Sequence, residues 1–193
     1  MKAIAIILAA GESRRMGVPK ALLAADRGLT FLGRLVEVFA QAGLEPLVVL
    51  GAHAEQIRAA SPDVAAVLNP RWPEGQLSSV CVGLRAALAQ GAQRLLIHPV
   101  DIPMITAATA AAVLGELERW PAVVASHEGK PGHPLGLRAA AARTLLSCGA
   151  ATLEAGSALL DPRQLQVEDP LILDNLNTPA SYLHRFGRRP RPL

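Results

Sequence analysis

A chain of 193 residues with 51% apolar and 18% charged side chains has material for one core of ordinary domain size. Its formal charge of +3 comes from its end: Arg185, Arg188, Arg189 and Arg191 crowd residues 185–193, and taking those four charges from +3 leaves the rest at −1, which excludes a broadly basic nucleic-acid surface. One Tyr, three Phe and two Trp are too few for a base-stacking platform, and no apolar run reaches the ~18 residues of a membrane span. Cys81 and Cys148 are far apart in unlike settings, which fits neither zinc spacing nor a disulfide framework and reads as a cytoplasmic protein with two buried thiols. The expected organisation is a single domain over residues 1–184 followed by a flexible, basic, Pro-rich tail over 185–193.

In chain order, residues 3–8 are a continuous apolar run, the pattern of a strand buried on both faces. Only Lys2 gives charge before it, and Gly-Glu-Ser-Arg-Arg follows it, the setting of a core strand rather than of a secretion signal. Phe31, Leu32, Leu35, Val36, Phe39 and Ala40 share one face of a helix over Thr30–Gly43, with Gly43 as its stop. Strands over 46–50 and 64–68 enclose a helix over 53–60. A helix over 78–90, a strand over 94–98, a helix over 106–117 capped by Thr106 and a strand over 122–126 follow. Beyond His127 the regularity loosens: 129–134 reads as a loop, 138–146 and 152–160 as helices, and 165–167 and 171–173 as short strands. Strands and helices alternating over short connections predict the α/β class, a mostly parallel central sheet covered on both faces.

In such sheets ligands bind beyond the carboxyl ends of the strands. The first of these loops, Leu8-Ala-Ala-Gly-Glu-Ser-Arg-Arg-Met-Gly-Val-Pro-Lys20, has the layout of a nucleotide-phosphate cradle: small residues that let backbone N–H groups approach an anion, with arginine and lysine for its charge. It is neither a Walker A loop nor a dinucleotide fingerprint. Adjacent residues of an extended loop point oppositely, so one of Arg14 and Arg15 reaches the ligand. Asp101 follows the apolar run Leu95-Leu96-Ile97 and stands between Pro99 and Pro103, which stiffen the chain. A carboxylate facing a polyphosphate is repelled unless a divalent cation such as Mg²⁺ stands between them; the plainer alternative is a helix cap or turn residue. Asn175 and Asn177 are neutral oxygen donors for such a metal or for a sugar hydroxyl, or ordinary turn residues. His53 and His184 read as partly exposed helix residues. No paired spacing makes His98 or His133 a zinc ligand, and Gly11-Glu-Ser13-Arg-Arg fails as a nucleophile elbow.

These residues resemble the nucleotidyltransferases that build molybdenum cofactor dinucleotides and, more widely, the sugar and methylerythritol nucleotidyltransferases. The resemblance runs in order through Leu8–Lys20, Gly75-Gln-Leu-Ser-Ser-Val-Cys-Val-Gly-Leu84, Pro99-Val-Asp-Ile-Pro103, Gly129-Lys-Pro-Gly-His-Pro134 and Asn175-Leu-Asn-Thr-Pro179. It implies a three-layer Rossmann-like nucleotidyltransferase fold. It also implies that Leu8, Ala9, Ala10 and Gly11 meet base and ribose, that Arg15 and Lys20 hold the triphosphate, that Gly75 and Ser79 stand near the base, and that Asp101 binds Mg²⁺ with Asn177 and Asn175 assisting. The Gly132-His133-Pro134 turn would face the second substrate. Two positions depart from the cytidylyl-transferring pattern: Asn175-Leu-Asn177 replaces an Asp-Ile-Asp common there, and His98 precedes Asp101 where small residues are usual.

The implied reaction is nucleotidyl transfer from an NTP to the terminal phosphate of a molybdopterin-type cofactor. Ala10, in place of a second glycine, tilts the resemblance from GTP to CTP. A molybdoenzyme or its maturation chaperone is the implied recipient of the product. A phosphate monoester is already anionic at neutral pH, with a second pKa of ~6, so no general base is required, in keeping with a site of cations and a carboxylate without a His–Asp pair. Two alternatives keep the same residues: transfer from GTP or to another phosphorylated acceptor, and a non-catalytic nucleotide or cofactor carrier.

Overall fold

The computed structural model describes residues Met1–Leu193. Seven strands, β1 (Ala3–Ala9), β2 (Glu45–Leu50), β3 (Ala66–Leu68), β4 (Arg94–Pro99), β5 (Ala122–His127), β6 (Lys130–Arg138) and β7 (Arg163–Gln166), form one sheet in the order β3-β2-β1-β4-β6-β5-β7. Pairs β1–β2, β1–β4, β2–β3 and β5–β7 are parallel, and β6 alone runs antiparallel between β4 and β5. The helices are α1 (Phe31–Gln41), α2 (Ala54–Ala60), α3 (Gln76–Ala89), α4 (Ala107–Glu116), α5 (Ala139–Ser147), α6 (Leu153–Ala158) and α7 (Pro179–Phe186). This is the expected α/β fold. None of its helices is long and apolar enough to cross a membrane.

β1 explains the layering. Alternate residues of a strand face opposite sides: Ala3, Ala5, Ile7 and Ala9 join a core with α1 and α4 residues such as Phe31, Leu35, Val113 and Leu114. Ile4, Ile6, Leu8 and Ala10 join a second core with Val80 and Leu84 of α3 and Ala142 and Leu145 of α5. A continuous apolar run is therefore required, and burying each large aliphatic side chain contributes about 1.5–3 kcal/mol. Thr30 caps α1 and Thr106 caps α4, each accepting from the backbone N–H three residues on.

Three expectations change. The stretch 129–134 is not a loop but the start of β6, pairing with β5 from Lys130 onward. Its Gly and Pro content disguised it, since Gly132 is present for close approach: a Cβ there would lie 2.7 Å from the Ile172 carbonyl. Residues 171–173 are not a strand but part of a 3-10 turn, Pro170–Leu173. Asp169 imposes that turn, one carboxylate oxygen accepting the Leu171 N–H at 3.1 Å and the other accepting from Thr106 N (3.1 Å), Thr106 Oγ1 (3.1 Å) and Thr109 Oγ1 (2.7 Å). The last strand lies at 163–166, two residues earlier than its apolar pattern indicated.

The C-terminal stretch lies along residues 22–25. Ala24 N–H donates to Arg191 O (3.0 Å), Leu193 N–H to Leu22 O (3.0 Å) and Arg188 Nη2 to Ala25 O (2.6 Å). Both cysteines are free and only partly buried, rather than fully buried as expected.

Candidate active site

The carboxyl ends of β1, β2, β3 and β4 share one rim, and the polar loops of the sequence meet there. The loop after β1 folds back on itself. Ser13, at φ 56°, accepts on its carbonyl the N–H groups of Met16 (2.9 Å) and Gly17 (3.0 Å), while its Oγ accepts Lys20 N–H at 3.1 Å. The Met16 side chain is buried in the core and anchors the loop. Lys20 thus starts a 3-10 turn, Lys20–Leu22, at the rim.

From there the Lys20 ammonium donates to Asp101 Oδ2 at 2.8 Å and to Asn177 Oδ1. Asp101 belongs to the turn after β4, and the loop carrying Asn177 is fastened to it by the Leu176 N–H on Asp101 O, 2.8 Å. Three segments distant in sequence therefore converge on one cluster, and the Lys20 and Asp101 side chains retain only 15% and 17% exposure. Asp101 Oδ1 is buried and has no partner.

The cluster closes one end of a cavity of about 460 Å³. Leu8, Ala9, Ala10 and Gly11 form one wall; Trp72, Gly75 and Ser79 form another. Gly75 lies at φ 106°, ψ 178°, a conformation open essentially to glycine, which lets the chain turn from the 3-10 segment Trp72–Glu74 directly into α3. Asn69, nearly inaccessible at 1% exposure, donates from Nδ2 to Ser78 Oγ and Ser79 Oγ, both at 2.9 Å, and so fixes this wall.

Most of the expected site residues are brought together; Arg15 and Asn175 are not, and His133 packs against His98 outside the cavity lining. Arg14, not Arg15, lines the cavity, its Nε 2.6 Å from Glu12 Oε2; Arg15 is exposed away from it. One of the two adjacent arginines lines the cavity, and it is Arg14 rather than the Arg15 that the resemblance implied. Asn175 is exposed, with its N–H on Leu173 O (3.0 Å), and does not join Asn177 at the cluster. His53 precedes α2 rather than sitting within it and reaches Glu12 O through Nε2 at 3.0 Å, so it lines the cavity instead of lying on a plain surface. His184 is exposed in α7, as expected. Asn69 and Trp72 were missed as site residues; their signal was a polar residue and an aromatic directly after the apolar strand β3.

His133, partly buried at the start of β6, meets His98 edge-on with ring centroids 5.8 Å apart. Burial pushes the His133 imidazole down to about 4, against an upward pull from the Asp101 charge. Burial and then His133 push His98 down to about 3, against the hydrogen bond to Ile102. Both rings are neutral at pH 7, so Lys20 and Arg14 carry the positive charge of the cavity.

No cluster of three or more His, Cys, Asp or Glu could cage a metal. The donor set nevertheless fits a hard divalent cation of the Mg²⁺ type, which takes one or two carboxylates and completes its shell with phosphate oxygens. Asp101 Oδ1 is buried and free for that use, and Asn177 Oδ1 points at the same cluster.

A family model described as a MobA-like NTP transferase domain matches residues 5–167. A probable molybdenum cofactor guanylyltransferase of Opitutus terrae is 43% identical over 102 residues, covering 53% of this chain and 49% of the relative. The molybdenum cofactor guanylyltransferase of Cereibacter sphaeroides is 38% identical over 109 residues, covering 54% and 53%. The matched region thus spans about half the length of these curated relatives. Among solved structures, Rv0371c from Mycobacterium tuberculosis superposes with a TM-score of 0.80 at 25% identity over 97% of this chain and 98% of the other. A nucleotidyl transferase from Methanothermobacter gives 0.80 and 25% over 95% of both.

Proposed function

The chain belongs to the MobA-like NTP transferase domain family, and on that footing we propose that it transfers a nucleoside monophosphate from an NTP to the terminal phosphate of a molybdopterin-type cofactor, releasing pyrophosphate. The observation that carries the reading is the convergence of Lys20, Asp101 and Asn177, the first two lining a cavity that also takes in the small residues Ala9, Ala10 and Gly11 and the cation Arg14. That is a place for a polyphosphate with a base and ribose beyond it.

The chain's own groups divide the work by charge. The Lys20 ammonium neutralises phosphate oxygens of the donor as negative charge shifts toward the leaving pyrophosphate. Asp101 and Asn177 would hold Mg²⁺, which when bound screens the repulsion between donor and acceptor phosphates. Backbone N–H groups of Ala9, Ala10 and Gly11, with the Gly75–Ser79 wall, hold the nucleoside so that the α-phosphorus faces the acceptor. The acceptor phosphate oxygen forms the new bond to the α-phosphorus, and the bond from that phosphorus to the bridging oxygen of the β-phosphate breaks. Since the attacking oxygen is already anionic, no side chain takes a proton.

The curated relatives are named guanylyltransferases, which supports GTP as the donor and moves the reading away from the CTP expected by resemblance. CTP is kept as a second reading on Ala10, a residue of the cavity lining that stands where the resemblance would place a second glycine for GTP. Pyrophosphate release with each of the four NTPs and purified molybdopterin tests both. Release that requires molybdopterin and is fastest with GTP is expected; preference for CTP would favour the second reading, and nucleotide binding without turnover for all four would favour a carrier.

A further inference from the structure

His98 is the one fully buried imidazole of the chain, and packing alone gives no reason for it. It lies near the end of β4 with its ring edge-on to Phe39 of α1 at 5.5 Å. Its Nδ1 has no partner, so an apolar side chain of similar volume would fill the space without that orphaned nitrogen and would give up only what Nε2 contributes. What the imidazole adds is one bond. Its Nε2 lies 2.8 Å from the Ile102 carbonyl oxygen, and because a carbonyl only accepts, that nitrogen carries the proton.

The bond spans the turn Pro99–Ile102, which carries Asp101. The backbone bonds around this turn are Ile102 N–H to Pro99 O (3.3 Å), Val100 N–H to Leu8 O (3.1 Å) and Leu176 N–H to Asp101 O (2.8 Å). The bond closing the turn itself is longer than the usual range, so the side chain of His98 supplies the short link between the strand and the far side of the turn. We propose that His98 is a positioning residue for Asp101: by holding Ile102 O it fixes the turn so that the carboxylate meets Lys20 through Oδ2 and keeps its buried Oδ1 without a protein partner. The inference rests on the nucleotidyl-transfer reading for its kinetic consequence.

The test compares His98→Leu, which has no donor, with His98→Gln, whose amide N–H has similar reach. Pyrophosphate release is measured with the preferred NTP and molybdopterin. Thermal midpoints are recorded, and binding of a non-hydrolysable NTP analogue is measured calorimetrically with and without Mg²⁺. His98→Leu should lower kcat about tenfold or more and shrink the gain in analogue affinity that Mg²⁺ produces. Its KM for NTP should stay within about twofold, and its thermal midpoint should fall by only a few degrees, the cost of one lost hydrogen bond. His98→Gln should restore most of both losses. A His98→Leu protein with unaltered kcat and Mg²⁺ response would overturn the proposal, as would equal losses in the two variants or natural-chain analogue binding that ignores Mg²⁺. If the natural chain binds the analogue with Mg²⁺ dependence yet never releases pyrophosphate, the transfer reading fails, while the calorimetric comparison of the variants still decides the role of His98.

Discussion

Asp101→Ala is expected to lower pyrophosphate release by about three orders of magnitude while leaving the protein folded. In the proposed reaction the carboxylate holds the cation that screens two phosphates from each other. Losing charge stabilisation of several kcal/mol corresponds to about 10³ in rate, at about 1.4 kcal/mol per factor of ten. The fold should survive because Asp101 sits in a turn whose backbone bonds to Leu8 and Leu176 do not involve its side chain. The substitution leaves the Lys20 ammonium at 15% exposure with Asn177 as its remaining side-chain partner, a cost that a small drop in thermal midpoint would record. Steady-state rates as a function of Mg²⁺, together with a thermal melt, check both halves. Full activity in Asp101→Ala would remove the carboxylate from the reaction altogether.

Lys20→Met should produce the second largest loss. Its backbone is fixed by Ser13 Oγ and its ammonium by Asp101 and Asn177, so it is placed before the donor arrives, and preorganised charge is worth more than mobile charge. Removing one such group typically costs about 10²–10³ in kcat. Methionine keeps the aliphatic stem, so the loop should remain packed. The same substitution should weaken NTP binding, because the ammonium faces the ground-state triphosphate as well as the transition state. A rise in KM with unchanged kcat would mean that Lys20 binds the donor without assisting the transfer. Kinetics over a range of NTP concentrations separate the two.

How far these sites could be read from sequence depended on whether local chemistry agreed with the final packing. The first strand, the α1 face and the Thr106 cap were legible because an apolar run, a 3.6-residue period and a threonine before it admit one packing. Asp101 was legible because an acid at the end of a buried apolar strand has few structural uses. β6 was not, because Pro131, Gly132 and Pro134 carry the composition of a loop, and their strand conformation comes from β5 and from the close pass of Ile172. The choice of Arg15 over Arg14 rested on the resemblance, whereas the turn at Ser13 leaves Arg14 as the arginine that lines the cavity. Asn69 was hidden because its task, holding Ser78 and Ser79 in place, appears only when β3 and α3 lie side by side.

The fate of labelled phosphate tests the central claim most directly. With an NTP labelled at the α-phosphorus, molybdopterin and Mg²⁺, the account expects the label to appear in a molybdopterin dinucleotide, in step with unlabelled pyrophosphate. Label that stays in free nucleotide while inorganic phosphate or no product is released would contradict it.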